Sequence, residues 1–257
     1  MKAKKLVLKG KKLKIMPSKN SENRVKILGV GVDSTSLREV LRGISQLIEE
    51  GKKTVIFTPN PEFLVYARKN PDFREILNSA DISLPDGVGL VWAAKILGKP
   101  LKGRVAGADL VEELLDLANE KRWRVGIVGA RRGVGIQRQQ QVEILQQKYP
   151  RAKITCLEEK PNWEKQKWEI VFACQGMEKQ EGWIAENLNK IPAIIFMGIG
   201  GSLDYLTGFA PRAPFFIRKI GFEWLFRLLA QPWRWRRQLN LLKFIYLVLR
   251  QRFLKPE

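Results

Sequence analysis

Short apolar runs in this chain end in polar or flexible residues, and that shared ending constrains the fold more than any other feature. Val55-Ile56-Phe57 stops at Thr58-Pro59-Asn60-Pro61, and Ile82-Ser83-Leu84 stops at Pro85-Asp86-Gly87. The runs at 124–130, 170–176 and 193–201 end in Gly-Ala, Gln-Gly and Gly-Gly. Runs of this kind read as buried strands, and residues 26–33 and 154–158 read the same way. Helical periodicity fills the intervals, over 36–50, 61–67, 72–79, 88–97, 108–121, 134–148 and 181–188. Strands that alternate with helices predict an α/β fold, a Rossmann-like parallel sheet flanked by helices. In such sheets the carboxyl ends of the strands carry the ligand site. Asn, Asp, Thr and Gly at the strand ends are therefore the first candidates for function.

The chain has 257 residues, enough for one large α/β domain or two small ones. Its net charge is +20, and the distribution matters more than the total. Residues 1–24 hold nine basic residues and one acid, and residues 212–257 hold eleven and two. The stretch between them is close to neutral. The expected organisation is a Lys-rich, loosely attached extension over 1–24, an α/β core over 25–211 and a basic, aromatic helical appendage over 212–257. Basic ends suit an anionic lipid surface or nucleic acid. A solubilising tail is the plainer explanation, and it fits the N-terminal run better than the C-terminal one.

There is no histidine, which excludes a Ser-His-Asp triad, a Cys-His pair and His-ligated metal. Cys156 and Cys174 form no metal-ligand spacing and read as reduced, buried thiols. Asp-x-Asp is absent. No metal and no cofactor are expected. Lysines interrupt every apolar run near the N-terminus, so no signal-peptide core is expected. No run reaches the roughly 18–20 apolar residues that would span a bilayer.

The motifs each admit a plain reading. Asp86 in Pro-Asp-Gly is explained by a turn alone, yet the turn also holds a carboxylate at a strand end, where one general base could act. Thr58 and Asn60 follow a strand and could line the same pocket, although Asn-Pro also starts helices. Arg104, between Gly103 and Gly107, suits either a solvated loop or a diphosphate gripped by guanidinium. The segment from Gly129 to Gly135 precedes a helix, as phosphate-binding turns do, but lacks the dinucleotide spacing. Arg and aromatic residues interleave beyond 212, a composition suited to a bilayer interface or to an aromatic helix face docked on the core.

Taken together the motifs resemble one family. Asn60-Pro61-Glu62, Pro85-Asp86-Gly87, Gly103-Arg104-Val105-Ala106-Gly107-Ala108-Asp109, Gln180-Glu181, Gly198–Asp204, Arg212-Ala213-Pro214 and Gly221–Arg227, then Pro232 and Arg234, are similar to the motifs of the WecG/TagA/CpsF glycosyltransferases, in the same order. One loop departs from that pattern. Where the family usually has Gly-x-Gly-x-Pro, this chain reads Ala173-Cys174-Gln175-Gly176-Met177-Glu178.

The resemblance implies an inverting, metal-independent transferase. It would move a sugar, N-acetylmannosamine or a related one, from a UDP-sugar to polyprenyl-diphosphate-linked N-acetylglucosamine for a cell-surface polymer. It assigns Asp86 as the base and Arg104 to charge on the leaving diphosphate. It places Thr58, Asn60 and Gln180 in the substrate pocket, and Arg227, Arg234 and Arg237 over the nucleotide. It implies a cytoplasmic enzyme held peripherally on the inner face of the plasma membrane, without nucleic acid. Oligomeric state stays open, a homo-oligomer included. The alternatives are a non-enzymatic nucleic-acid or anionic-lipid binder and a Rossmann-type oxidoreductase.

Overall fold

The computed structural model describes residues 4–8, 11–15, 24–129, 138–159, 162–219, 221–230 and 235–254. In chain order the strands are β1 (Lys4–Leu8), β2 (Lys11–Ile15), β3 (Val25–Ile27), β4 (Val30–Val32), β5 (Thr54–Phe57), β6 (Ile82–Ser83), β7 (Arg124–Val128), β8 (Lys153–Cys156), β9 (Trp168–Ala173) and β10 (Ala193–Gly198). The helices are α1 (Leu37–Glu49), α2 (Pro61–Lys69), α3 (Pro71–Asn78), α4 (Val88–Ile96), α5 (Gly107–Lys121), α6 (Arg138–Lys148), α7 (Lys179–Asn187), α8 (Ser202–Leu206), α9 (Phe215–Lys219), α10 (Glu223–Ala230) and α11 (Trp235–Phe253).

Six strands form one sheet in the order β6-β5-β10-β9-β7-β8, and every pairing in it is parallel. The fold is α/β and Rossmann-like. Alternate residues of each strand feed two apolar layers. Val55, Phe57, Val171 and Phe196 face a layer made with α2, α3, α4, α7 and α11. Ile56, Ile170, Phe172 and Ile195 face the other, made with α1, α5, α6 and α8.

Residues 26–33 are not the single strand their apolar run suggests. β3 and β4 pair antiparallel as a hairpin outside the large sheet. The turn is Leu28-Gly29, and both residues have positive φ, +48° and +82°. Such a turn matches the twist of paired strands, and Leu at its first position hides it inside an apolar sequence. Asn78 caps the bend, its Nδ2 donating to Gly29 O and its Oδ1 accepting from Gly31 N.

The hairpin is tied to the sheet by Arg24, which is buried. Its guanidinium donates to Asp33 Oδ1 (2.8 Å), Ala80 O (2.9 Å) and Asp81 O (2.7 Å). Asp33 Oδ2 accepts from Ser83 N at 2.6 Å. This knot fixes the short strand β6, and hence the turn that follows it.

At the N-terminus β1 and β2 form an antiparallel ladder beside α3 and α7, where the composition suggested a loose extension. Over Lys12-Leu13-Lys14-Ile15 lysine alternates with an apolar residue, the two-residue period of a strand, which a charge count overlooks. At the other end α11 is an integral layer of the fold. Phe244, Leu247 and Val248 are buried in the layer shared with α2 and α4. Each such burial contributes roughly 1.5–3 kcal/mol.

Candidate active site

The connections diverge around β10. After β5 and after β9 the chain turns to the layer containing α2 and α7, whereas after β10 it turns to the layer containing α8. β10 lies between β5 and β9, so a crevice must open at its carboxyl end. A cavity of about 770 Å³ lies there. It is large enough for a nucleotide-sized ligand.

Four adjacent strand ends supply its floor. β5 gives Thr58 and Asn60, β6 gives Asp86 and Gly87, β10 gives Gly198 to Ser202, and β9 leads to Gly176, Met177 and Gln180. Main-chain bonds join these turns. Asp86 N donates to Pro59 O (3.0 Å), and Val105 N donates to Pro85 O (2.9 Å). The second bond docks the loop carrying Arg104 beside Asp86. Lys102 ties the same loop to Ser34 through its N–H and to Glu39 of α1 through its ammonium.

Asn60 does two things at once. Its Oδ1 accepts from Glu62 N and Phe63 N and so caps α2. Its amide nitrogen is left for the cavity. α4 and α5 start at the cavity wall, behind Gly87 and Ala106, with no side-chain cap on either helix. Their first-turn N–H groups and dipoles favour an anion there.

Gln180 is 3% exposed and held at both ends. Its Oε1 accepts from Gly200 N (2.9 Å), and its Nε2 donates to Glu181 Oε1 (2.6 Å). One amide hydrogen remains for a ligand. Glu181 is fully buried, and its Oε2 accepts from Glu178 N. Burial pushes the Glu181 carboxyl up to about 7, against the opposing hydrogen bonds from Gln180 and Glu178. Gly198 admits this pair. A Cβ on it would lie 2.8 Å from Gln180 Nε2 and 3.1 Å from Glu181 Oε1. The departure from Gly-x-Gly-x-Pro is accommodated by positive φ at Gly176 and Glu178, and Glu178 still completes a capping box with Glu181.

The roof comes from beyond residue 212. Phe222, Glu223 and Trp224 cover one side, and Leu241, Leu242 and Ile245 another. Arg104 Nη1 lies 3.7 Å from Glu223 Oε2, which joins floor to roof. Arg212 pairs with Asp109 and with Glu112 (3.0 Å), and Arg218 with Asp109 (2.7 Å). The rim is apolar and open: Trp92 is 64% exposed and Leu242 66%.

Thr58, Asn60, Asp86, Arg104 and Gln180 thus line one cavity. The side chains of Arg227 and Arg237 and the whole of Arg234 lie outside the described residues, as do positions 130–137 of the glycine-rich turn. Gly129 itself donates its N–H to Glu158 and does not line the cavity. Asp204 accepts from Gln141 Nε2, a packing role. Sequence reasoning missed Glu223. Its signal was available, because only two acids occur among residues 212–257. Both cysteines are free and buried, and burial pushes the Cys174 thiol up to about 12, so it is no nucleophile. Among the described residues no group of three or more acids or cysteines is arranged to hold a metal ion.

Relatives of known activity share most of the chain. It is 35% identical over 214 residues to the N-acetylglucosaminyldiphosphoundecaprenol N-acetyl-beta-D-mannosaminyltransferase of Bacillus spizizenii, covering 79% of this chain and 81% of that one. The enzymes of the same name from Bacillus subtilis and Staphylococcus aureus are 33% and 32% identical, covering 79% and 83% of this chain and 82% and 86% of theirs. The family described as "Glycosyl transferase WecG/TagA/CpsF" matches residues 25–257, through the end of α11, and the chain belongs to that family.

Proposed function

We propose that this protein transfers N-acetylmannosamine, or a closely related sugar, from a UDP-sugar to polyprenyl-diphosphate-linked N-acetylglucosamine, with inversion and without a metal ion. The observation that carries the reading is the placement of Asp86 in the same cavity as Arg104 and the uncapped starts of α4 and α5. The acceptor hydroxyl attacks the anomeric carbon as its proton passes to the Asp86 carboxylate. The bond from that carbon to the diphosphate breaks, and its electron pair leaves on the nucleotide. Arg104 and the two helix starts offset the charge that develops there. One base suffices for a single displacement, because the diphosphate leaves without protonation. The acceptor class comes from the relatives' names.

Among the described residues no helix is long and apolar enough to cross a membrane. The open apolar rim suits a lipid-borne acceptor presented at the bilayer surface. In this reading the protein works peripherally on the cytoplasmic face, where anionic lipid attracts its basic ends. The test is to incubate it with a panel of UDP-sugars and a farnesyl-diphosphate-linked N-acetylglucosamine, with and without EDTA, and to weigh the products. A lipid disaccharide formed in EDTA is the expected result. Absence of any sugar transfer across the panel overturns the proposal, and dependence on an added divalent ion overturns its metal-independent form.

A further inference from the structure

A smaller chamber of about 250 Å³ adjoins the main cavity between α2 and α11. Glu62, Met177 and Asn240 are common to both walls, and Tyr66, Lys69 and Lys243 belong to the chamber alone. Lys69 comes from the last turn of α2 and Lys243 from the middle of α11. Among the described residues neither ammonium has a carboxylate within ion-pair distance. Lys69 beside it holds the Lys243 ammonium below its ordinary pKa, with burial adding to the effect. Glu62, on the shared wall, has a partner of its own. Two like charges are thus brought together where two helices pack, an arrangement that an anion relieves.

Position limits which anion. Pro61, at the start of α2, lies at the cavity floor, and Lys69 is eight residues further along the helix, about 12 Å away. The Arg104 loop and the starts of α4 and α5 already serve a diphosphate at the floor. The outer face of α11 next to Lys243 is apolar and exposed, with Leu242, Ile245 and Tyr246 at 66%, 43% and 61%. Two cations beside an exposed apolar strip match an amphiphile whose head is a diphosphate and whose tail is a hydrocarbon.

We propose that Lys69 and Lys243 form the subsite for the diphosphate of the lipid-linked acceptor, with the start of its hydrocarbon chain on Leu242 and Ile245. The inference rests on the acceptor class proposed above. It separates the two diphosphates of the reaction, the nucleotide's at the floor and the lipid's between α2 and α11.

Calorimetry on the full chain tests this with three probes: farnesyl diphosphate, inorganic pyrophosphate and UDP. Lys69→Ala/Lys243→Ala should weaken farnesyl diphosphate at least roughly tenfold and leave UDP within about twofold. Lys69→Arg/Lys243→Arg should retain binding, which separates lost charge from lost folding. In the transfer assay the Ala pair should raise KM for the farnesyl-diphosphate acceptor and leave KM for the UDP-sugar alone. Unchanged farnesyl diphosphate binding in the Ala pair overturns the subsite, and so does an equal loss of UDP. Pyrophosphate matching farnesyl diphosphate in affinity and in sensitivity to the Ala pair overturns the part given to the hydrocarbon. Wild-type protein that binds farnesyl diphosphate through the lysines but transfers no sugar refutes the proposed activity and leaves the subsite standing. Transfer that ignores the lysines does the reverse.

Discussion

The turns beside Asp86 in the cavity floor are joined to one another by main chain, whereas the roof is held by side chains. Below, the turns after β5 and β6 and the Arg104 loop are joined by bonds such as Asp86 N to Pro59 O and Val105 N to Pro85 O. No substitution removes these bonds without changing the backbone. Above, the segment from Arg212 to α11 depends on Arg212, Arg218, Glu223 and the buried face of α11. A floor of this kind fixes chemistry. A roof of the second kind can yield to a ligand, and single substitutions can loosen it.

The largest effect should come from the floor. Asp86→Asn keeps the turn and its main-chain bond but removes the proton acceptor. Turnover should fall by about 10²–10⁴ with the circular dichroism and melting curve unchanged. Near wild-type turnover would remove Asp86 from the mechanism.

The two faces of α11 sharpen the contrast within the roof. Phe244→Ala opens a void against α2 and α4 and should cost about 3–5 kcal/mol in urea unfolding. Leu242→Ser on the outer face should change stability by less than about 0.5 kcal/mol and weaken association with anionic vesicles. A Phe244→Ala protein as stable as the wild type would mean that α11 is only a cover. By the same argument, a chain ending near Arg212 should expose the apolar layer that Phe244, Leu247 and Val248 cover, and should lose stability.

Glu181 lies beneath the floor and offers a pH test. Its folded pKa of about 7 is raised above the ordinary 4.5. A raised carboxyl contributes stability that is fully present below about pH 4.5 and lost as pH rises through about 7. At about 1.4 kcal/mol per pH unit, the swing is on the order of 3 kcal/mol. Glu181→Gln should flatten unfolding free energy across that window. It should be less stable than wild type at low pH, because the hydroxyl oxygen of the protonated Glu181 can still accept from one of its two donors, whereas an amide NH₂ cannot. Parallel stability profiles for the two proteins would exclude this ionisation.

What was legible in the sequence follows the same division. Thr58, Asn60 and Asp86 were readable because a strand end is a local event, marked by Pro, Asn and Gly within a few residues. The β3–β4 hairpin was not, since Leu28 at positive φ leaves a single glycine as the turn's mark in an apolar run that holds a second glycine at Gly31. The roof was read as charge and aromatics for a membrane. Arg218 lies in that stretch, yet it is committed to Asp109, and α11 divides its apolar residues between core and solvent. The pairing of Arg104 with Glu223 joins residues more than a hundred positions apart, and no local pattern announces it.

A more modest effect than those at Asp86 and Phe244 concerns how the roof is fastened. Asp109 stands in the first turn of α5, at the helix start that faces the cavity, and Arg212 and Arg218 both contact it. Arg212→Ala leaves Arg218 in place, so Asp109 keeps one partner and stability should fall by only about 1 kcal/mol. Binding should register more. Part of the Asp109 charge becomes uncompensated close to the proposed nucleotide diphosphate, so KM for the donor should rise a few-fold with little change in kcat. Because the cause is a charge, the rise should shrink as salt is increased from about 0.01 M to 1 M, where screening shortens from about 30 Å to 3 Å. Arg218→Ala should act in the same way. The double variant should exceed the sum of the two singles, because only then does Asp109 lose both partners. A donor KM that stays constant across variants and salt would show that these arginines fasten the roof without influencing what binds beneath it.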